Sequence, residues 1–533
     1  MASAAGSGSR RGPKGPDVTT KGHEESDGRV VPKDGRKAEP AAMGRHGKAT
    51  TASKQAVQLE LLFETADSPK GVDARAATDR SATARSAMPK SKSTTDTSLP
   101  AMTMEEIADD GNLRSAFSRV AANDGAPGAD RRSIEDVRKH LDGILERLRR
   151  ELLDGSYRPD RIRRVWIPKA GGGQRGLGIP TVVDRIVQQA THQVLSLRYE
   201  PTFRGASHGF RPGRSCHTAI AAAVEHVEAG NEWVVDIDLE KFFDRVHHDR
   251  LLARLAERIS DPRVLRLIRR MLKAKVVMPD GVVVSTTEGT PQGGPLSPLL
   301  SNIVLDELDI ELDRRGHRFV RYADDCNIYV RSERAGKRVM ESVSRFIEGR
   351  LRLKVNCNKS AVARTEERHF VGFSLRREPL EGGVEVLLSK RSKDRIDERI
   401  AALTPRLWGN SLRKCIERLN KYLVGWLGFF RIVTDGETLE TLDAHARRRL
   451  RAIVLRHWKR KGTMVERLLQ LGVRQPWLRR WLFRWQASWW QLTRNRAVRT
   501  GLRNEYFAKR GLVSLRASWQ QQREVIAPSV TTG

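Results

Sequence analysis

The sequence has few cysteines, no long apolar run and fewer acidic than basic residues. Only four of its 533 residues are cysteines, and none forms a Cys-x-x-Cys pair, which argues against a disulfide scaffold and against a zinc ribbon or zinc-dependent nuclease module. No window approaches about 18 consecutive apolar residues, so no membrane-spanning helix is predicted. The first residues lack the apolar stretch of a secretory signal, so no secretion is expected. The cysteines are Cys216, Cys326, Cys357 and Cys415.

Positive charge is what the chain has in excess. Its 97 Lys and Arg residues outnumber 65 Asp and Glu residues, giving a formal net charge of +32 and a pI near 10.6. This balance excludes an ordinary metabolic enzyme as the default and indicates a polyanionic partner, most simply nucleic acid. An anionic membrane surface is the weaker alternative. Residues 390–524 hold 32 of the basic residues and only 11 of the acidic ones, so the charge is concentrated near the carboxyl end.

The length suggests about three or four domains. Residues 1–100 contain one aromatic residue, Phe63, and are predicted to be a disordered basic extension. An organelle transit peptide is disfavoured by the acidic residues at 24, 25 and 27.

Helical spacing follows at 104–120 and 134–153, separated by a predicted loop at 123–130. Strands alternate with helices to about residue 376, and a basic, all-helical pattern begins near residue 390. Strands are predicted at 232–238, 319–322 and 326–330.

Acidic residues stand at the ends of these strands. Asp324 and Asp325 occupy the tip of a predicted hairpin, and Asp238 ends an apolar strand. An exposed Asp-Asp turn is the plain alternative, but three carboxylates at one point would be the ligand set that Mg²⁺ prefers. Two such ions about 3.5–4 Å apart clamp the attacking and leaving oxygens of a phosphoryl transfer.

Taken together, the motifs resemble the bacterial group II intron reverse transcriptase and maturase family, in the order in which that family carries them. The resemblance covers about residues 104–520, and no single motif would establish it. Its blocks are 123–130, Arg164-Val-Trp-Ile-Pro-Lys169, 175–185, His208-Gly-Phe-Arg-Pro-Gly-Arg-Ser215, Asp238-Leu-Glu-Lys-Phe-Phe-Asp244, Gly289-Thr-Pro-Gln-Gly-Gly-Pro-Leu-Ser-Pro298, Tyr322-Ala-Asp-Asp325, 353–359, Phe370-Val-Gly-Phe373 and 419–431.

The resemblance implies an α/β (α+β) right-hand polymerase. Its fingers and palm, with an antiparallel palm sheet, would occupy residues 101–376. An all-helical thumb or maturase domain would follow at 377–464, and a basic, helical DNA-binding segment at 465–533. The zinc-containing endonuclease domain of some members is not expected here, so second-strand cleavage is not expected either, and the primer would come from elsewhere.

The resemblance also implies a set of site residues. Asp238, Leu239, Asp324 and Asp325 would form the metal set for two Mg²⁺ ions, with the three aspartates catalytic. Asp236 and Asp244 are nearby acids, and Asp244 is assigned instead as a helix cap or ion-pair partner. The residues implied to bind the incoming deoxynucleotide are Lys169, Arg175, Phe243, Gln292 and Lys359.

Each nucleotide-binding residue has an alternative interpretation. Lys169 and Arg175 could belong to a solvated basic hairpin around glycines 171–173. Of the adjacent Phe242 and Phe243, one is expected in the core. Gln292 could serve only the turn before a helix that Ser297 caps and Pro298 begins.

Template contact is implied for Arg211 and Arg214, and contact with intron RNA or target DNA for the basic residues of the helical end. Tryptophans at 477, 481, 485 and 489 recur at helical spacing; a core stripe is favoured over base stacking. The expected partners are group II intron RNA, a DNA target or primer and dNTPs, in a bacterial cytoplasmic ribonucleoprotein. No membrane partner is expected, and monomer and homodimer stay open. The basic residues are Arg447, Arg448, Arg451, Arg479, Arg480 and Arg484.

The expected function is RNA-directed DNA polymerisation on intron RNA, in target-primed reverse transcription, together with assistance to intron splicing. One alternative is a retron-type or defence reverse transcriptase, against which the long maturase-like region argues. The other is a splicing cofactor without polymerase activity, against which the three aspartates argue.

Overall fold

The computed structural model describes residues 102–168, 173–378, 383–405, 407–474, 476, 478 and 488–526. All of them belong to one unit of the chain, Thr51–Gly533. The predicted disordered extension at 1–100 lies outside the described residues. Within the described residues, no helix is long and apolar enough to cross a membrane.

The amino-terminal part is helical and then forms a small mixed sheet. The predicted helix 104–120 is interrupted because the Asp109 carboxylate accepts a 3.0 Å hydrogen bond from the Asn112 amide and starts a second helix. The predicted helix 134–153 is likewise divided, and its apolar face is buried as predicted. The fingers elements are α1 (Met104–Ile107), α2 (Asp110–Ala122), α3 (Ile134–Arg138), α4 (Leu141–Leu153), β1 (Ile162–Pro168), β2 (Gln174–Ile179) and α5 (Val182–Tyr199).

The central part builds an antiparallel sheet, as expected for the palm. Its strand order is β6-β7-β3-β8, and every pairing is antiparallel. The predicted strands agree with β3, β6 and β7 to within a residue or so. The palm elements are α6 (Cys216–Glu228), β3 (Trp233–Ile237), α7 (His248–Ala256), α8 (Pro262–Leu272), β4 (Val276–Val277), β5 (Val283–Val284), α9 (Ser297–Arg314), β6 (Arg318–Tyr322), β7 (Asp325–Val330), α10 (Glu333–Phe346) and β8 (Ala361–Arg364). Strands β4 and β5 extend the fingers sheet, whose order is β2-β1-β4-β5.

Alternating side chains on the palm sheet enter two different cores. Val235 and Ile237 pack with the fingers and the palm helices. Val234 and Tyr329, on the opposite face, pack with α6 and the helices that follow residue 390. Because successive residues of a strand face opposite sides, each face of the palm sheet is covered by apolar side chains.

The carboxyl-terminal part is helical, as predicted, after a two-stranded sheet. The predicted division into domains stays a prediction; its limit after residue 376 falls inside β9 and its limit after residue 464 inside α14. One core runs from Phe370 to Trp519 without a break at either limit. The elements are β9 (Phe373–Arg377), β10 (Val384–Leu388), α11 (Lys390–Leu403), α12 (Leu412–Phe430), α13 (Gly436–Trp458), α14 (Lys461–Gln470), α15 (Trp489–Leu492), α16 (Arg496–Gly501), α17 (Asn504–Ala508) and α18 (Leu515–Ile526).

Candidate active site

The predicted hairpin is present and has a two-residue turn. Tyr322 pairs with Asp325 across the β6–β7 ladder, which leaves only Ala323 and Asp324 in the turn. Ala323 has a φ of 56°, a left-handed conformation that tight hairpins need and that a residue with a Cβ adopts at some cost. Asp324 and Asp325 are therefore fixed at the end of the hairpin.

Strand pairing brings the third carboxylate to the same point. Ile237 on β3 pairs with Cys326 on β7, so the antiparallel register continues with Asp238 opposite Asp325. Both positions alternate with residues that enter the fingers-side core, so both project from the other face. Residues separated by almost ninety positions in the sequence thus meet at one end of the sheet.

Asp236 lies on the same face of the sheet, but its carboxylate is paired with an arginine. Its carboxylate forms a 2.5 Å ion pair with Arg368. The Arg368 guanidinium also donates to the Lys359 carbonyl. Asp244 is exposed, and within the described residues it neither caps a helix nor forms an ion pair, so the predicted cap or ion-pair role is wrong. Neither acid competes with Asp238 for the place opposite Asp325.

Crowding of the carboxylates changes their acidity. Desolvation by the surrounding protein, followed by repulsion from Asp324, raises the pKa of Asp325 to about 8. Desolvation also raises the pKa of Asp324, and the Arg175 guanidinium partly opposes that rise. Asp325 is nevertheless exposed and Asp324 half-buried, so water screens the repulsion and moderates the shift. The site is open to solutes.

The donor set suits a hard divalent cation, because carboxylate oxygens are the preferred ligands of Mg²⁺ and the repulsion among them calls for positive charge. In the described part of the chain, however, no three His, Cys, Asp or Glu side chains already form a metal-ligand cluster. The Asp238 carboxylate is engaged with its neighbours: its Oδ2 accepts a 3.1 Å hydrogen bond from Asn356 Nδ2 and lies 3.5 Å from Lys359 Nζ. The Leu239 side chain is in the core, so only its carbonyl could serve a metal.

Four of the five predicted nucleotide-binding residues, Arg175, Phe243, Gln292 and Lys359, lie within the described residues. Arg175 is exposed on β2, near enough to Asp324 to influence its pKa. The Gln292 carbonyl accepts a 2.7 Å hydrogen bond from the Gly178 amide of β2. Phe242 is buried while Phe243 is half-buried against it, with ring centroids 5.3 Å apart, which confirms that one of the pair is core. Lys169 lies outside the described residues.

The loop before α9 differs by one position from its prediction. Ser297 is the first residue of the helix rather than its cap, and Pro298 follows inside the first turn. The Ser297 hydroxyl donates a 2.7 Å hydrogen bond to the Pro291 carbonyl. It therefore closes the glycine loop that carries Gln292 instead of capping a free helix amide.

Arg211 does not have the free guanidinium that template contact requires. Its side chain is buried, pairs with Glu200 at 2.7 Å and donates to the carbonyls of Arg204 and Ser207. The predicted template contact is corrected to a structural role, since its donors are already used. Arg214 is half-buried and donates to the Gly205 carbonyl.

The basic residues of α13 also serve the fold in part. Arg448 stacks 3.9 Å from the ring centre of Trp490, and Arg451 donates a 2.8 Å hydrogen bond to the Leu502 carbonyl. Burial, then repulsion from Arg447, lowers the pKa of Arg451 to about 10. Nucleic-acid contacts by these residues stay a prediction. Arg479, Arg480, Arg484 and the tryptophans at 477, 481 and 485 lie outside the described residues, while Trp489 is half-buried against the helical core.

Two arginines near the site escaped the sequence analysis, Arg321 and Arg368. Arg321 interrupts the apolar strand 319–322. A lone charge at an inward position of a strand is the signal that could have indicated its buried role. Arg368 carried no such signal, because its partner is 132 residues away.

Comparison with known proteins gives matches over two parts of the chain. Residues 167–375 match the family described as reverse transcriptase (RNA-dependent DNA polymerase), and residues 393–472 match the group II intron, maturase-specific domain. The chain is 33% identical to Protein YkfC of Escherichia coli, over 53% of this chain and 84% of that protein. It is 29% identical to the group II intron-encoded protein LtrA of Lactococcus lactis, over 54% of this chain and 61% of LtrA. The putative COX1/OXI3 intron 2 protein of Saccharomyces cerevisiae is 28% identical over 53% of this chain and 40% of that protein. The chain thus spans less than two thirds of LtrA.

Proposed function

This chain belongs to the group II intron reverse transcriptase and maturase family, whose enzymatic class is RNA-directed DNA polymerase, and from that premise we propose that Asp238, Asp324 and Asp325 hold two Mg²⁺ ions and extend a DNA primer along intron RNA. The observation that carries the proposal is the register of β3 against β7, which sets Asp238 opposite Asp325. Bound Mg²⁺ would stabilise the charge on the attacking and leaving oxygens of phosphoryl transfer. The main-chain carbonyl of Leu239 completes the proposed metal set.

The protein's own side chains would bind and orient the nucleotide. Arg175 offers a planar, two-pronged donor for a triphosphate, and Lys169 a point charge. The half-buried Phe243 ring offers a face for the sugar and leaves little room for a 2′-hydroxyl. Asn356 and Lys359 hold the Asp238 carboxylate in place, and Gln292 lies on the loop fastened to β2.

A primer-extension assay tests the proposal. The purified protein is supplied with an RNA template, an annealed DNA primer, dNTPs and Mg²⁺, and we expect DNA complementary to the RNA. Substituting Ca²⁺ for Mg²⁺ should stop extension while template binding persists. Tight RNA binding without extension would favour the alternative of a splicing cofactor without polymerase activity. The retron-type alternative is disfavoured by the maturase-specific match over residues 393–472.

The thumb helix offers a surface for the nucleic-acid duplex and intron RNA. Along α12, residues spaced by three or four positions form an exposed stripe of cations and glycines. Apart from the neighbouring residues and the backbone of the helix itself, no atom of the described residues lies within 4 Å of where a Cβ of Gly425 or Gly428 would be. Packing within the protein therefore does not require glycine at either position. Glycine in a helix is unfavourable by about 1 kcal/mol relative to alanine, so helix stability does not explain it either. The stripe consists of Lys414, Arg418, Lys421, Gly425, Gly428 and Arg431.

Replacing Gly428 with leucine is expected to raise the stability of the fold and to lower the affinity for template–primer. Unfolding free energy should rise by about 0.5–1 kcal/mol from helix propensity. The bulky side chain should hold a duplex away from the helix, so we expect affinity for template–primer to fall about tenfold, as measured by fluorescence anisotropy. Gly143→Leu is the matched control, since Gly143 is also helical, exposed and without neighbours within 4 Å. Equal affinities of the two variants would contradict the assignment of this stripe.

The proposed setting is a ribonucleoprotein in the bacterial cytoplasm, in which the maturase-specific domain binds intron RNA. Such binding is expected to depend steeply on salt, because each phosphate neutralised by Lys or Arg releases counterions. Splicing of intron RNA by the protein at increasing salt would test it separately from polymerisation.

A further inference from the structure

Arg321 lies entirely inside the protein, two residues before the turn that carries Asp324. Its side chain has no exposed surface. Nε donates to Asp309 Oδ1 at 2.7 Å, and Nη2 donates to Asp309 Oδ2 at 2.5 Å. The pair is thus a two-pronged ion pair between β6 and α9.

The remaining N–H groups of this guanidinium reach α9 a second time and two other segments. Nη1 donates to the Ala323 carbonyl at 2.8 Å and to Asn302 Oδ1 at 3.0 Å, and Nη2 donates to Ser207 Oγ at 2.7 Å. A guanidinium has five N–H groups, so all of them are used. Arg321 therefore connects the turn itself to α9 and to the segment around Ser207.

The same segments also pack against the Ala323–Asp324 turn. A Cβ on Gly209 would lie 2.2 Å from the Ala323 nitrogen, so the two backbones are in direct contact. Asn302 Nδ2 donates a 2.9 Å hydrogen bond to the Gly209 carbonyl. Ala323 keeps its left-handed conformation between the Arg321 guanidinium on one side and Gly209 on the other.

Stability alone does not account for such a pair. Two charges lose their hydration on burial, and replacing a buried ion pair by apolar residues of similar volume is often neutral or stabilising. What an apolar pair would lack is the directed hydrogen bonds to the Ala323 carbonyl, to Asn302 and to Ser207. The chemistry of this cluster is therefore suited to setting a position rather than to adding stability.

We propose that Arg321, with its counter-ion Asp309, is the positioning residue that fixes the Ala323–Asp324 turn and so places the Asp324 and Asp325 carboxylates opposite Asp238. The proposal rests on the proposed function, because it assigns Arg321 a role in the geometry of the same three carboxylates. Arg321 does not touch substrate. Its effect is transmitted through the Ala323 carbonyl.

The test replaces the whole pair, Arg321→Met with Asp309→Leu, so that no buried charge is left unpaired. We expect the thermal midpoint and the template–primer Kd to stay near wild type. We expect kcat for primer extension to fall about a hundredfold, the loss typical of a displacement of about 1 Å, and half-maximal activity to need more Mg²⁺. A folded double variant with wild-type kcat and Mg²⁺ dependence would overturn the proposal.

A second variant covers the case in which the double variant does not fold. Arg321→Lys keeps the charge beside Asp309 but cannot reach Asp309, Asn302 and the Ala323 carbonyl together, so it should fold and show a partial loss of kcat with an unchanged KM for dNTPs. Wild-type kcat in this variant would also overturn the proposal. An inactive wild-type protein would instead refute the proposed polymerase function, so the two failures are distinguishable.

Discussion

A protein carrying Asp324→Asn and Asp325→Asn is expected to lose primer extension by about a thousandfold or more while keeping its fold. Asparagine has the shape of aspartate but no charge, so two of the three proposed carboxylate ligands lose their anionic oxygens. Metal ions supply several kcal/mol of transition-state stabilisation, and each 1.36 kcal/mol is worth about tenfold in rate. Single-turnover extension of a labelled primer on an RNA template measures the loss.

Stability distinguishes a lost site from a lost fold. Because Asp324 and Asp325 repel each other, removing their charges should leave the thermal midpoint in EDTA equal to or above that of the wild type at pH 8. The matched control is Asp244→Asn, which removes an exposed carboxylate from the same part of the palm and should retain activity. Extension at more than about a tenth of the wild-type rate by the double variant would contradict the assignment of the carboxylates to the metal.

The parts of this site that follow from local sequence pattern were predictable. Alternating apolar residues identified β3, β6 and β7, and the three-residue gap predicted between the last two placed Asp324 and Asp325 at a turn. In the structure Asp325 begins β7, so the turn has two residues. The meeting of Asp238 with that turn needed the order of the family's motifs, because pattern alone does not give strand register across about ninety residues.

The parts that depend on long-range partners were not predictable. Arg211 and Arg321 are both basic residues in the sequence. The apolar neighbours of Arg321 at 319 and 320 indicate an inward position, but no local pattern identifies the partners of either residue. In the structure Arg211 is held by Glu200, and Arg321 by Asp309 and Ser207, the latter 114 residues away. The resemblance to the family suggested template contact for Arg211, whereas the structure buries its side chain against Glu200 and buries Arg321 against Asp309 and the Ala323 carbonyl. The limit placed after residue 464 came from the resemblance to the family, and it falls inside α14.

Divalent-ion binding is expected to weaken as the pH falls from 8.5 to 6. The pKa of Asp325 is about 8 in the folded protein against an ordinary value of 3.8. Over most of the range between these values the folded, metal-free protein keeps a proton that the unfolded chain has lost, so this group's contribution to stability declines as the pH rises from about 4 to about 8. A metal ion must replace that proton, so its binding is favoured as the pH rises.

Two titrations measure this linkage. We expect the Mg²⁺ concentration for half-maximal thermal stabilisation to be about tenfold higher at pH 6 than at pH 8.5. If one proton competed fully with the metal over two pH units, this Mg²⁺ concentration would change about a hundredfold. Screening by the water that reaches the exposed Asp325 makes the change smaller. In EDTA, the wild-type thermal midpoint should fall relative to that of Asp325→Asn between pH 5 and 8, while Asp244→Asn should follow the wild type. If the thermal midpoints of wild type and Asp325→Asn changed equally with pH across this range, the carboxylates would not repel each other as the structure indicates. The electrostatic argument for a cation between them would then fail.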